Sequence, residues 1–493
     1  MTRPGSLALL LPILVPTAVA AFCFGSGWGR AAKWASLLSP LAIGASGALV
    51  FAATRRSPLA LGGSLLWGDG LSAFMLFVTA IVSLLAVLAS SSYIQDEILS
   101  NNCSPARARN YIVLFHLFLA AMSGAIMTDN LGVIWVAIEA TTISTAFLVA
   151  HKNTSKALEA AWKYVIICSF GITLAFFGTV LIYFSAIHAG VTSADALSIH
   201  VLLGVAPHMN NTATRLGLGF LLLGYGAKVG LVPFHTWLAD AHSQAPAPVS
   251  ALMSGVLLSV AFSVLLRIKV LADQSVGMGF FRVGLIAMGL GTMVVAALLM
   301  VGQRDFKRLF AYSSLENMGL VAVAAGVGNR LALVGLLLHI FAHGVSKSLV
   351  FISSGQLQSR IHTTEISDVR ALARDSPVLG YGLAIGSIGL IGFPPFALFA
   401  SETAIAVGIG SSKFAWVLII VVIAILVASS SIAKHVLTML FGPSNDKAPR
   451  IAVTAAERLP LVMAVSVGLY IGVFANPIMT TVARAGTVIG IGK

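Results

Sequence analysis

The chain has 493 residues, of which 58% are hydrophobic and 10% charged, with a mean hydropathy of +0.96 and a formal net charge of +13. That composition excludes an ordinary soluble globule. The positive balance reads as membrane topology and contact with anionic lipid, because no soluble basic domain is present to hold nucleic acid.

A membrane crossing needs about 20 apolar residues. In chain order, about fourteen such segments are expected, at roughly 5–25, 33–53, 70–92, 110–127, 130–150, 163–186, 215–238, 247–270, 281–301, 307–326, 331–356, 378–406, 414–440 and 457–478. The fold class is therefore all-α and polytopic, one integral membrane domain over 1–493. The first segment begins with one basic residue and carries Ala18-Val-Ala20, as a signal peptide would. Its length, Pro12, Pro16 and the spans that follow favour a retained helix. The seventh segment is interrupted by Pro233 and flanking glycines, the twelfth by Gly392-Phe-Pro-Pro395. Backbone broken at that depth is tolerated only where the freed groups find partners or line a cavity.

Three intramembrane lysines, Lys228, Lys347 and Lys434, are set aside in counting loop charge. Alternate loops then carry sixteen Lys and Arg on one side, among them Arg107, Lys152, Lys163, Arg308, Arg360, Lys447 and Arg450, and eleven on the other, including Arg3, Arg55, Arg56 and Lys493. The richer side is expected to face the cytoplasm, which puts both termini outside. The protein is expected in the cell membrane, plasma or inner.

Ionisable residues inside the spans are Glu139, Lys228, Glu316, His339, His343, Lys347, Glu402, Lys434 and His435. A charge at bilayer depth costs about 2.5–3.5 kcal/mol on insertion scales, so such residues default to function. Glu139 and Lys228 lie 228 − 139 = 89 residues apart in the fifth and seventh spans; Glu316 and Glu402 lie 402 − 316 = 86 apart in the tenth and twelfth. Five spans, an odd number, separate the two series. Two inverted five-helix repeats, about 109–272 and 280–440, each with a broken helix, are expected to follow N-terminal helices over about 1–108 and to precede a C-terminal helix over 441–493.

Burial disfavours the charged forms of Glu139 and Lys228, and mutual approach favours them, so their separation would decide whether Lys228 holds its proton. A structural salt bridge is the alternative for that pair. The stretch after Lys228 adds His235 and His242. His339, His343 and Lys347 share one helical face and stack over about 12 Å at ~1.5 Å per residue. Each histidine alone reads as a hydrogen-bonded packing residue, while the stack reads as a proton wire. Cys23, Cys103 and Cys168 are too scattered for an iron–sulfur cluster, and no Cys-x-x-Cys or His-x-x-x-His pair accompanies them. No glycine-rich phosphate loop is present. No cofactor, metal or redox centre is expected in this subunit, and its energy would come from an ion gradient or a partner.

The runs Ile138-Glu-Ala-Thr-Thr142, Glu159-Ala-Ala-Trp-Lys-Tyr164, Trp237-Leu-Ala-Asp-Ala-His-Ser-Gln-Ala-Pro-Ala-Pro-Val-Ser-Ala-Leu252, Lys307-Arg-Leu-Phe-Ala-Tyr-Ser-Ser-Leu-Glu-Asn-Met-Gly319 and Gly392-Phe-Pro-Pro-Phe396 resemble the antiporter-like membrane subunits of respiratory complex I and of multisubunit cation/proton antiporters. Within that superfamily the chain most resembles the F-type membrane subunit of hydrogenase-4 and related group 4 nickel–iron hydrogenases. The resemblance implies that Glu139 and Lys228 are the gating pair on the input side and that Glu402 is the group from which the proton leaves. It also marks a departure, because Ser259 stands where many complex I relatives carry a lysine. Ser259 cannot hold a charge, so water, or His339 and Lys347, would carry the proton across the middle. The long lateral C-terminal helix of one complex I subunit is not expected.

The expected function is proton translocation in a multisubunit, redox-driven complex, with hydrogenase-like or complex I-like membrane and peripheral subunits as partners. The alternatives are a cation/proton antiporter, using sodium, or an ion-driven module of inorganic-carbon uptake, and, in another class, a non-conducting membrane scaffold. Asn210-Asn-Thr212 fits a glycosylation acceptor by pattern alone and carries no weight.

Overall fold

A computed structural model describes residues 6–55, 57–63, 65–443, 452–474 and 476–491. Arg3, Arg56, Lys447, Arg450 and Lys493 of the charge count lie outside the described residues. Among the described residues the regular structure is helical apart from one antiparallel hairpin, Leu59–Leu61 with Leu66–Gly68.

The N-terminal layer is α1 (Leu11–Ser26), α2 (Arg30–Ser36), α3 (Leu38–Ala53), α4 (Gly70–Leu99) and α5 (Pro105–Ile126). Pro12 opens α1, where a missing N–H costs nothing, and α1 packs on α3 and α5 as one of the bundle's own helices. Next come α6 (Leu131–Val149), α7 (Ser155–His188), the short α8 (Ile199–Val205) and α9 (Asn211–Val229), which stops at Gly230 in a left-handed conformation. The seventh apolar segment is thus two pieces. After the link 230–236 the chain resumes as α10 (Trp237–Gln244) and α11 (Ala247–Leu252), passes through a π turn at Met253–Leu257 and continues as α12 (Leu258–Ser275).

The C-terminal half comprises α13 (Phe280–Val301), α14 (Phe306–Val327), α15 (Arg330–Ile361), the single-turn α16 (Leu372–Asp375), α17 (Pro377–Leu390), α18 (Ala397–Gly410), α19 (Val417–Phe441), α20 (Ala455–Val473) and α21 (Asn476–Val488). A second break, 391–396, separates α17 from α18. Among the described residues, ten helices are long and apolar enough to cross a membrane; α1, α17 and α18 are shorter apolar helices. The chain is therefore a polytopic helical membrane protein.

Burial sorts the helices. α11, α12 and α15 are interior along nearly their whole length, whereas α19 and α20 present most of their surface outward. Phe170, Phe177, Leu298, Ile419 and Leu426 stand on the exterior, as lipid or sister subunits require. At the centre the backbones of α15 and the π turn touch. A Cβ on Gly255 would meet the Gly344 carbonyl at 3.0 Å, and one on Gly344 the Gly255 carbonyl at 2.9 Å. Small residues at such a crossing let helices approach closely in a bilayer.

A buried ion pair locks one end of the bundle. Asp69 caps α4 by accepting from the Ser72 amide at 2.9 Å, and Arg267 of α12 donates to both its oxygens at 2.6 and 3.0 Å. Burial alone would raise the Asp69 carboxyl, but the Arg267 charge and the hydrogen bonds from Arg267 and Ser72 hold it below its ordinary range. Arg267 also donates to Ser72 Oγ, which donates to the Ile126 carbonyl, so α4, α5 and α12 are tied together. Removing one partner of such a pair strands the other charge. Arg267→Ala is expected to cost about 3–5 kcal/mol, seen as a lowered midpoint of thermal unfolding in detergent, and Asp69→Ala/Arg267→Ala should recover part of that loss.

Candidate functional site

The break after α9 places Lys228. Gly230 and Leu231 donate their amides to Ala227 and Gly226 at 3.2 and 2.8 Å, and the Trp237 indole donates to the Ala227 carbonyl at 3.0 Å, so the freed end of the helix is satisfied. Lys228 occupies the last turn, where carbonyl dipoles favour a cation. It is wholly buried. Its ammonium donates to Thr142 Oγ1 at 2.9 Å and to Tyr164 OH at 2.6 Å, and lies 4.8 Å from the Tyr164 ring centroid.

Glu139 is half-buried on α6. Its oxygens accept from Thr142 Oγ1 at 3.1 Å and Ser169 Oγ at 3.0 Å. Glu139 and Lys228, whose separation the sequence left open, are thus linked through the Thr142 hydroxyl and not by a direct ion pair. The physical reason is spacing: Thr142 stands three residues beyond Glu139 on the same face of α6, between the carboxylate and the lysine. A hydroxyl that can donate to a carboxylate while accepting from an ammonium is a relay atom.

A second cluster is built on α14, α15 and α18. Asn317 Nδ2 donates to Glu316 at 2.8 Å, Asn317 Oδ1 pairs with His339 Nε2 at 2.8 Å, and His339 Nδ1 with Ser401 Oγ at 3.0 Å. This hydrogen-bonded row runs from Glu316 to the residue before Glu402. Glu402 lies over the second break, and its carboxylate occupies the space that a Cβ on Gly392 would need. His339 and His343 rings stack with centroids 6.4 Å apart and planes within 11°. Both His343 nitrogens are buried without a protein partner among the described residues. Lys347, equally buried, donates to the Phe310 carbonyl at 2.8 Å and to Ser313 Oγ.

The structure thus links Glu139 to Lys228 through Thr142, Glu316 to His339 through Asn317, and His343 to His339 by stacking. It does not draw in His235, which is half-buried in the link 230–236, or Ser259, whose buried hydroxyl has no hydrogen-bond partner among the described residues. Lys434 stands on the exposed face of α19. Sequence reasoning missed Thr142, Tyr164, Ser169, Asn317 and Ser401. It also left His242 without a role, although its two ring nitrogens are buried without a hydrogen-bond partner among the described residues and its ring stacks on Phe351 at 5.4 Å. Asp240, two residues earlier, joins Lys163 at 3.1 Å and Arg308 at 2.5 Å, which ties α10 to α7 and α14.

Broken helices carrying a buried lysine and a carboxylate, with hydroxyl and imidazole rows beside them, define an ion-translocating membrane protein of the antiporter-like class. Residues 128–428 match the NADH:quinone oxidoreductase/Mrp antiporter transmembrane family, and the chain belongs to that family. It is 39% identical over 340 residues, 69% of this chain and 71% of the relative, to a hydrogenase-4 component F homolog of Methylacidiphilum infernorum (isolate V4). It is 30% identical over 409 residues, 80% of this chain and 77% of the relative, to NADH-quinone oxidoreductase subunit N of Desulforudis audaxviator (strain MP104C). A chain of the membrane-bound sulfane sulfur reductase, an archaeal respiratory membrane complex, superposes with a TM-score of 0.88 at 26% identity over 99% of this chain and 98% of that one.

Thr142→Val keeps the shape and removes the bridging hydroxyl. A hydrogen bond to a charged group is worth about 1.5–3 kcal/mol, so ion transport in vesicles is expected to fall about 10- to 100-fold while the amount of folded protein in the membrane stays the same.

Proposed function

We propose that this chain is the proton-translocating membrane subunit of a multisubunit, redox-driven complex of the group 4 hydrogenase or NADH:quinone oxidoreductase kind. The observation that carries the proposal is Lys228, a buried cation solvated by neutral hydroxyls and linked through one of them to Glu139. Such a lysine can release its proton when its surroundings change, whereas one locked to a carboxylate is held.

Glu139 and Lys228 form the input pair. Glu316, His339, His343 and Lys347 carry the proton through the second half, with water serving His343, His235 and Ser259, and Glu402 is the output group. The chain crosses the cell membrane fourteen times, with α9–α10 and α17–α18 each counted as one broken crossing. The breaks at 230–236 and 391–396, each beside an intramembrane ionisable group, support two inverted repeats over about 109–272 and 280–440. The side rich in Lys and Arg is cytoplasmic and both termini are outside. Electron carriers belong to partner subunits, which couple their chemistry to this one, and the names of the relatives support membrane and peripheral partners of that kind.

The test is made in vesicles containing the whole complex. Glu139→Gln and Lys228→Ala should abolish redox-linked proton uptake while assembly and the partner's redox chemistry persist. Unchanged transport would remove the pair from the mechanism, and loss of assembly alone would favour a scaffold. Transport that needs sodium and no electron donor would favour the antiporter.

A further inference from the structure

A cluster that shares no residue with the proposed proton path unites three chemically different ligands in the turns after α4 and α6. Glu97 lies in the last turn of α4, Cys103 in the link to α5 and His151 in the short 3-10 turn after α6. Their ligand atoms all lie within 4.8 Å of one another. His151 Nε2 is 2.9 Å from Glu97 Oε2 and 3.9 Å from Cys103 Sγ. The turns are shaped for this approach. Asn101 takes a left-handed conformation, and the amides of Asn102 and Cys103 both donate to the Glu97 carbonyl, at 2.8 and 3.0 Å, folding the thiol back over the carboxylate. Asn153, also left-handed, ends the turn that carries His151.

We propose that Glu97, Cys103 and His151 form a site for a borderline-soft divalent cation of the Zn(II) class. In a tetrahedral site with metal–N and metal–O bonds of about 2.0 Å and metal–S of about 2.3 Å, ligand atoms stand roughly 3.3–3.5 Å apart. The two His151 separations, 2.9 and 3.9 Å, bracket that range, and the carboxylate and thiol, within 4.8 Å of each other, would have to close by up to about 1 Å to share a cation. The imidazole, the thiolate and the carboxylate balance the charge of a divalent cation once the thiol proton passes to solvent. Lys152 and Glu97 both line a cavity of about 630 Å³ that opens beside the cluster, giving the cation a route in and a water for its fourth position. A lysine there opposes a hard cation held by charge alone, whereas thiolate and imidazole select a softer one.

The site would pin the end of α4 to the α6–α7 link. Those two helices carry Glu139, Thr142, Tyr164 and Ser169, so occupancy would stiffen the input pair's support without touching it. The alternative is a bare His151–Glu97 ion pair with a bystander thiol.

The protein, purified in mild detergent and stripped with chelator, is titrated with Zn(II) and with Co(II). One equivalent should bind, Co(II) should develop a thiolate charge-transfer band, and X-ray absorption at the zinc edge should show one sulfur ligand. Cys103→Ser should abolish the band, and both it and His151→Gln should weaken zinc binding at least 10-fold, while Cys23→Ser/Cys168→Ser leaves it unchanged. Absence of stoichiometric binding, a wild-type zinc shell without sulfur, or equal binding by folded Cys103→Ser would overturn the proposal. The sulfur shell is read on wild-type protein, so a variant that fails to fold does not decide the matter.

Discussion

In hydrocarbon a backbone N–H or C=O left without a partner costs several kcal/mol, and this fold is organised around meeting that demand where two of its helices stop short. At 230–236 the chain turns back on its own last carbonyls, borrows the Trp237 indole and takes Thr292 Oγ1 as acceptor for the Val232 amide at 2.9 Å. At 391–396 the amides of Ile391, Phe393 and Phe396 find the carbonyls of Ser387, Ile388 and Phe393. Both breaks keep their freed backbone groups paired, although Pro233 and Thr236 of the first and Phe393, Pro394 and Pro395 of the second face outward. The breaks leave polar ends of half-helices within the bundle, and Lys228 stands in the last turn of one while Glu402 lies against the other.

Two kinds of buried cation follow from this arrangement. Arg267 is held in a fork by both oxygens of Asp69, a geometry that favours permanence. Lys228 and Lys347 have hydroxyls and a carbonyl for partners instead. Neutral partners stabilise an ammonium less than a carboxylate does, and the lysine amine can lose its proton where a guanidinium cannot. The distinction separates a structural charge from a mobile one by geometry alone.

Much of the site was legible in the sequence, because an ionisable residue in an apolar run is its own signal. Glu139, Lys228, Glu316, His339 and Glu402 stand out for that reason, as do Pro233 and Gly392 within segments otherwise long enough to cross. The groups that connect them do not stand out. Serine and threonine are ordinary residues of membrane helices, where their hydroxyls bond to the preceding turn, so nothing in one dimension distinguishes Thr142 or Ser401 from Thr179 or Ser431. Thr142 alone offered a hint, by its three-residue spacing from Glu139. Asp69 and Arg267, 198 residues apart, meet only through the packing of α4 on α12.

The middle of the molecule is where proton transfer is most exposed to change. The Lys228 row and the His339 row are not joined by a direct protein hydrogen bond among the described residues, where Ser259, His242 and His343 also keep buried polar atoms without a protein hydrogen bond, and Ser254 and Ser314 pair through their hydroxyls at 2.7 Å. The Gly255–Gly344 crossing beside His343 brings two backbones into contact, leaving no room for a longer side chain to bridge the interval. A π turn at Met253–Leu257 falls in the same place, and such turns loosen the regular backbone ladder where function needs it. On the proposed function, passage from input to output therefore depends on water reaching polar atoms that no side chain serves. A lysine in place of Ser259 would supply a fixed carrier; a serine leaves the step to hydration, and so to any movement that opens or closes the space between α12 and α15.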